Sequence, residues 1–212
     1  MIMKLFLATG NAGKVAEFRA LLIQYLPDAG LTLRTPRDWP EPLPEVEETG
    51  RTFAANARLK AVSLAAATGL PTLADDSGLC VDALGGAPGI YSARWAGPEA
   101  TDADRNAKLL TALAEVSGAA RTARFVCVAA LALPNGVVWT ASGECAGVIL
   151  PEGRGGNGFG YDPLFLLPDL DRTMAELTDA EKNARSHRAL ALTRLVPTLR
   201  QIGGLGGASR RV

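Results

Sequence analysis

The chain is poor in the residues on which several common chemistries depend. Histidine occurs once, cysteine three times, and aromatic residues make up 6% of 212 residues. Cys80, Cys127 and Cys145 are odd in number, far apart and set in apolar strand-like runs, a pattern of buried reduced thiols and not of a disulfide, a metal knuckle or a nucleophile. Net charge is also absent, with 22 basic against 22 acidic side chains, so no global field favours nucleic acid or an anionic membrane. No apolar run approaches the roughly 18 residues of a membrane span. The apolar N-terminus turns at Gly10-Asn11 without a cleavage-site pattern. A soluble, cytoplasmic protein without nucleic-acid or membrane partners is expected. At 48% hydrophobic and 21% charged residues, the composition fits one substantial core or one two-lobed domain and excludes a disordered or fibrous chain.

Periodicity supplies the framework. Residues 4–8 read as a strand, and Val15, Phe18, Leu21, Leu22 and Tyr25 then recur at helical spacing as far as Pro27. A second strand is expected over 31–35, followed by a proline-rich acidic loop carrying Glu41, Glu45, Glu47 and Glu48. A helix over 52–68 stops at Gly69. Short strands over 72–75 and 79–82 flank an acidic turn, and Gly85-Gly86-Ala87-Pro88-Gly89 forms an irregular loop. Thr101 or Asp102 caps a third helix running to Gly118. Strands over 122–133 and 137–145 are joined through Pro134-Asn135-Gly136, a hairpin signal that makes the sheet mixed. Thr178 and Glu181 form a capping box for a last helix that ends at Pro197.

Two segments carry chemistry. Thr9-Gly10-Asn11-Ala12-Gly13-Lys14, between strand and helix, points backbone N–H groups at an anion and adds a positive charge. It is not a Walker A loop, which would need Gly at Ala8 and Ser or Thr at Val15. In Ala74-Asp75-Asp76-Ser77-Gly78, two adjacent carboxylates repel unless a cation or donor compensates, which makes a metal attractive. A phosphate nest and metal-binding carboxylates together are the halves of a nucleotide-hydrolysing site. Gly153-Arg154-Gly155-Gly156-Asn157-Gly158 matches G-x-G-x-x-G formally. Pro163 follows too soon for a helix to open on a pyrophosphate, so the loop is expected to pass close to a ligand and bring Phe159, Tyr161 and Asp162 to its edge. His187 gains meaning only from its neighbours Lys182 and Arg188, a cluster of donors suited to an acceptor-rich ligand.

In order along the chain, these segments resemble the non-canonical purine nucleoside triphosphate pyrophosphatases, the inosine triphosphatase-like family. The resemblance rests on the two segments above together with Glu47-Glu48-Thr49-Gly50, Thr52-Phe53, Asn56, Gly85-Gly86-Ala87-Pro88-Gly89-Ile90-Tyr91-Ser92-Ala93-Arg94, Phe159-Gly160-Tyr161-Asp162-Pro163 and Ser186-His187-Arg188. It implies an elongated mixed α/β fold in which residues 1–202 form one two-lobed catalytic domain with a cleft between the lobes. Residues 203–212 would be a flexible Gly-rich tail. It also implies a homodimer and Mg²⁺-dependent cleavage of ITP, dITP and XTP to monophosphate and pyrophosphate. By the same resemblance, Thr9, Gly10, Asn11, Ala12, Gly13, Lys14, Asn56 and Lys60 contact the triphosphate. Asp76 is metal ligand and base, with Asp75 the alternative base, and Ser77 touches substrate. Phe159, Gly160, Tyr161, Asp162, Lys182, His187 and Arg188 line the nucleoside pocket. Glu47 is the second metal ligand, with Glu41 as its rival. A nucleotide-binding regulator without turnover, a phosphatase releasing orthophosphate and a pyrophosphatase for modified pyrimidine nucleotides remain as alternatives.

Overall fold

The computed structural model describes residues 3–204. The Gly-rich terminal stretch from Leu205 onward, read above as a tail, lies outside the described residues. One seven-stranded sheet has the order β2-β1-β3-β4-β5-β6-β7. Its strands are β1 (Lys4–Leu7), β2 (Thr32–Arg34), β3 (Thr72–Val81), β4 (Thr122–Ala132), β5 (Val138–Ile149), β6 (Phe165–Leu167) and β7 (Arg172–Thr173). β1 pairs in parallel with β2 and β3, while β6 pairs antiparallel with β5 and β7, so the sheet is mixed as expected. The helices are α1 (Ala12–Tyr25), α2 (Phe53–Thr68), α3 (Asp102–Ala112), α4 (Asp179–Asn183) and α5 (His187–Ile202).

The chain divides into two compact units. The first comprises the chain up to Asp75, Val128–Ser142 and the chain from Ala189 onward; the second comprises Asp76–Cys127 and Gly143–Arg188. In the first, Leu5, Phe6 and Leu7 are fully buried, as a central parallel strand requires. Ala57, Ala61 and Ala65 give α2 a smooth face that packs in one cluster with Phe6, Ala74 and Ala130. Thr52 caps α2 by accepting from the Ala55 N–H, and Gly69 ends the helix at φ 67°, a conformation that favours glycine. In the second unit, Phe125 and Phe165 meet at 4.4 Å in a core with Leu79, Leu109 and Tyr161. Each such buried phenyl contributes about 1.5–3 kcal/mol. The three cysteines are free and buried, and burial pushes the Cys145 thiol up to about 11.

Three expectations are corrected. The acidic segment is not a turn: β3 runs unbroken through Asp75, Asp76, Ser77 and Gly78. Gly78 is needed for space, since a Cβ there would lie 2.3 Å from the Gly89 carbonyl and 2.4 Å from Ser92 Oγ. The third helix stops at Ala112, where the Leu113 N–H closes it, and not at Gly118. The last helix is two helices, because the Arg185 and Ser186 N–H groups both turn back to the Lys182 carbonyl. α5 then continues through Pro197. Proline removes the N–H that would reach the Thr193 carbonyl, yet Leu192, Leu195 and Leu199 bury the face of the helix and hold it.

Candidate active site

The first unit carries the charge-binding group. In the loop 9–14, Asn11 caps α1: its Oδ1 accepts from the Lys14 N–H at 3.0 Å, and Thr9 Oγ1 accepts from the Asn11 N–H at 3.2 Å. These two side chains shape the loop, leaving the helix N-terminus and its dipole to meet an anion. Lys14 Nζ donates to Asp75 Oδ2 at 2.8 Å, and the Asp75 side chain is fully buried. Consecutive residues of a strand project to opposite faces. Asp75 and Asp76 are therefore not the side-by-side repelling pair that adjacency suggests; Asp75 is compensated by Lys14, and Asp76 is buried at 5% exposure.

The acidic loop is held by Asn56. This side chain has no exposed surface, and its Oδ1 accepts from the Gly50 N–H at 2.8 Å. A triphosphate contact was expected of Asn56; complete burial gives it the task of fixing the loop. Gly50 leaves room for it, since a Cβ would lie 2.5 Å from Asn56 Oδ1. Lys60 Nζ donates to Glu48 Oε1 at 2.7 Å. Glu41 and Glu47 are exposed, whereas Glu48 is half-buried, so Glu48 is the acid of this loop that the fold orders. Sequence reasoning passed over it. Its spacing of twelve residues from Lys60 falls outside any local periodicity. Beside the loop 9–14 lies a pocket of about 290 Å³ whose wall includes Arg19 and Arg37, cations that no motif had marked.

The second unit carries an aromatic and donor group. Phe159 is half-buried, with Lys182 Nζ at 4.8 Å and the Arg188 guanidinium at 5.0 Å from its ring centroid. Arg188 donates to Ser77 Oγ at 3.0 Å. Asp162 Oδ2 accepts from Lys182 Nζ at 2.6 Å and from the Phe159 N–H at 3.0 Å, so Asp162 organises the segment from within at 4% exposure. Gly158, at φ 78°, lets this happen: a Cβ there would sit 2.1 Å from Asp162 Oδ2. Tyr161 is buried too, its hydroxyl donating to the Ser92 carbonyl at 2.9 Å, and burial raises its pKa. His187 stacks on Phe125 at 4.9 Å with 3% exposure, backing the group and not fronting it. Gly155, in the glycine-rich loop, closes on the chain itself. A Cβ there would meet the Ala175 carbonyl oxygen at 2.4 Å, and Asn157 donates to the Leu177 carbonyl at 3.1 Å. The tight approach at Gly155 is thus to the chain's own backbone.

The Ham1 family model matches residues 5–198. The chain belongs to the Ham1 family. Among its relatives is a Streptomyces avermitilis protein named dITP/XTP pyrophosphatase, 52% identical over 203 residues, which covers 95% of this chain and 99% of that protein. A Geobacter sulfurreducens protein of the same name is 53% identical over 192 residues, 91% of this chain and 94% of that one. Among solved structures, the Ham1 protein of Coxiella burnetii is 44% identical with a TM-score of 0.83, over 94% of this chain and 99% of that chain. The Ham1 protein of Staphylococcus aureus is 39% identical with a TM-score of 0.80, over 94% of this chain and 99% of that chain. The mixed seven-stranded sheet with its helices is thus the Ham1 fold.

Proposed function

We propose that this Ham1 family chain hydrolyses non-canonical purine nucleoside triphosphates, ITP, dITP and XTP, to the monophosphate and pyrophosphate. The observation that carries the reading is the run of β3: Asp75, tied to the lysine of the phosphate-type loop, is followed directly by a second buried carboxylate, Asp76. The names of relatives at about half identity support the same substrate class.

In this reading the N–H groups of loop 9–14, Lys14 and Lys60 hold the triphosphate and stabilise charge that moves onto the leaving pyrophosphate. Asp76 accepts a proton from the water that attacks the α-phosphorus; the new P–O bond forms as the bond to the bridging oxygen of pyrophosphate breaks. Among the described residues no three His, Cys, Asp or Glu side chains gather into a metal cage. The buried carboxylate of Asp76 and the carboxylates of the acidic loop suit Mg²⁺, which takes one or two carboxylates and completes its shell with waters and substrate phosphates. Asp76 and an acid of the loop would hold it, and the ion would supply neutralisation of phosphate charge and a more acidic bound water. Glu47 was the first choice for that acid; the ordering of Glu48 by Lys60 makes Glu48 the stronger one. Glu48→Gln is expected to raise the Mg²⁺ concentration for half-maximal activity by about tenfold or more, and Glu47→Gln by less. A Mg²⁺ titration of both variants checks this, and the reverse order would return the ligand to Glu47.

The base is read by Phe159 and Arg188. Hypoxanthine and xanthine present O6 as an acceptor where adenine presents an amine donor. Facing donors such as Arg188, adenine leaves buried polar groups unpaired. Arg188→Ala is therefore expected to lower kcat/KM for ITP far more than for ATP, whereas Phe159→Ala lowers both by similar factors. An unchanged ITP to ATP ratio in Arg188→Ala would move discrimination elsewhere. The reading as a whole is tested by incubating the protein with ITP, XTP, dUTP and ATP plus Mg²⁺ and identifying the products. Monophosphate with pyrophosphate from ITP and XTP is expected. Diphosphate with orthophosphate, turnover of dUTP alone, or no turnover would each replace it with one of the alternatives.

A further inference from the structure

α3 lies outside the motifs that carry the resemblance, yet it grips the segment that presents Phe159. Asp102 Oδ2 accepts from the Gly160 N–H at 2.7 Å, and Asn106 Nδ2 donates to the Gly160 carbonyl at 3.0 Å. The two side chains stand four residues apart, one turn of the same helix, and so face the same way. Between them they satisfy both polar groups of a residue that sits at φ 65° with no strand or helix to hold it. Asp102 is itself fixed. It pairs with Arg105, and Arg105 also donates to the Ala93 carbonyl at 3.0 Å and the Ala100 carbonyl at 2.5 Å. Burial pushes the Asp102 carboxyl up, but the Arg105 guanidinium and the Gly160 N–H more than offset this and hold it below the ordinary carboxylate range.

We infer that Asp102 and Asn106 are positioning residues, a two-point clamp on Gly160 that holds the Phe159 ring ready to stack on the base of the substrate. This rests on the reading of Phe159 as the base platform. The physical gain is preorganisation. A glycine-containing loop left to itself samples many backbone states and must be ordered when the ligand binds, whereas a loop already gripped at N–H and C=O does not carry that entropy cost. Neither residue needs to touch the substrate. The clamp therefore acts on binding more than on the chemical step, and it acts through Phe159.

The experiment is a double-mutant cycle read by kinetics on ITP. Asn106→Ala is expected to raise KM about tenfold, the effect of one lost hydrogen bond and added loop freedom, with kcat within about twofold. In a Phe159→Ala background the same substitution should change KM little, because the ring it positions is gone. Asp102→Asn, which keeps an oxygen acceptor for the Gly160 N–H, should retain most of the affinity that Asp102→Ala loses. Hydrogen–deuterium exchange across residues 158–162 gives a readout that needs no activity, and Asn106→Ala should raise exchange there while the β3 and β4 amides stay protected. An equal rise in KM in both backgrounds, or unchanged exchange across 158–162, overturns the clamp. If the wild-type protein turns over no nucleoside triphosphate, the reading of the site falls, and the exchange result still decides whether Asp102 and Asn106 hold the segment. If Asp102→Ala fails to fold, the half-buried Asn106 supplies the decisive arm.

Discussion

Asp76→Asn is expected to lower kcat on ITP by more than about a hundredfold, with the melting temperature close to that of the wild type. The substitution conserves shape in the middle of β3, where Ala74 and Leu79 are fully buried, so the strand retains its packing. What it removes is the carboxylate that, on the proposed reading, accepts the proton and would bind the cation. General-base loss alone is worth roughly a hundredfold to ten-thousandfold. Steady-state kinetics and a thermal melt on the same preparation check the claim. Near-normal turnover would move the base away from Asp76, and Asp75→Asn would then be the next variant to assay.

Lys14→Ala is expected to reduce both stability and turnover. The Asp75 side chain is fully buried and the Lys14 side chain is 16% exposed, so truncating the lysine removes one cation from a buried ion pair. Breaking a buried pair on one side costs about 3–5 kcal/mol, which in a domain of this size lowers the melting temperature by roughly 6–20 °C. The double variant Lys14→Ala/Asp75→Asn removes the buried negative charge as well. It should recover much of the stability while turnover remains low, because the cation that the proposed reading assigns to the triphosphate is still missing. Differential scanning calorimetry and kcat/KM on the three variants separate the effects. An unaltered melting temperature in Lys14→Ala would show that the pair contributes nothing to folding.

That prediction reverses what the sequence alone suggests. Read from its loop, Lys14 is a surface cation whose loss should barely change stability, because nothing local signals a partner 61 residues away. The same limit explains the other differences. Elements set by local rules were legible: the Thr101 cap, the Gly69 stop, the Asn135-Gly136 turn and the capping box of Thr178 and Glu181 depend on neighbours within a few residues. Adjacency misled where strand geometry intervenes. Asp75 and Asp76 are neighbours in sequence yet leave a strand on opposite sides, and Ser77-Gly78 reads as a turn until Gly89 and Ser92 press against Gly78. Residues shared with the resembled family stood out in the sequence, but their division of labour did not. Asn56 is buried and holds the acidic loop at Gly50, while Tyr161, Asp162 and His187 are buried and Phe159 and Ser77 half-exposed. Glu48, Asp102 and Asn106 were missed because each acts on a residue far along the chain.

The central claim is that water attacks the α-phosphorus and pyrophosphate leaves. Hydrolysis of ITP in water enriched with ¹⁸O, with mass spectrometry of both products, tests it most directly. The account predicts one ¹⁸O atom in inosine monophosphate and none in pyrophosphate. Label in the pyrophosphate would place the attack on the β-phosphorus, and labelled orthophosphate would place it on the γ-phosphorus. Either result would contradict the reaction assigned to Asp76 and the loop 9–14.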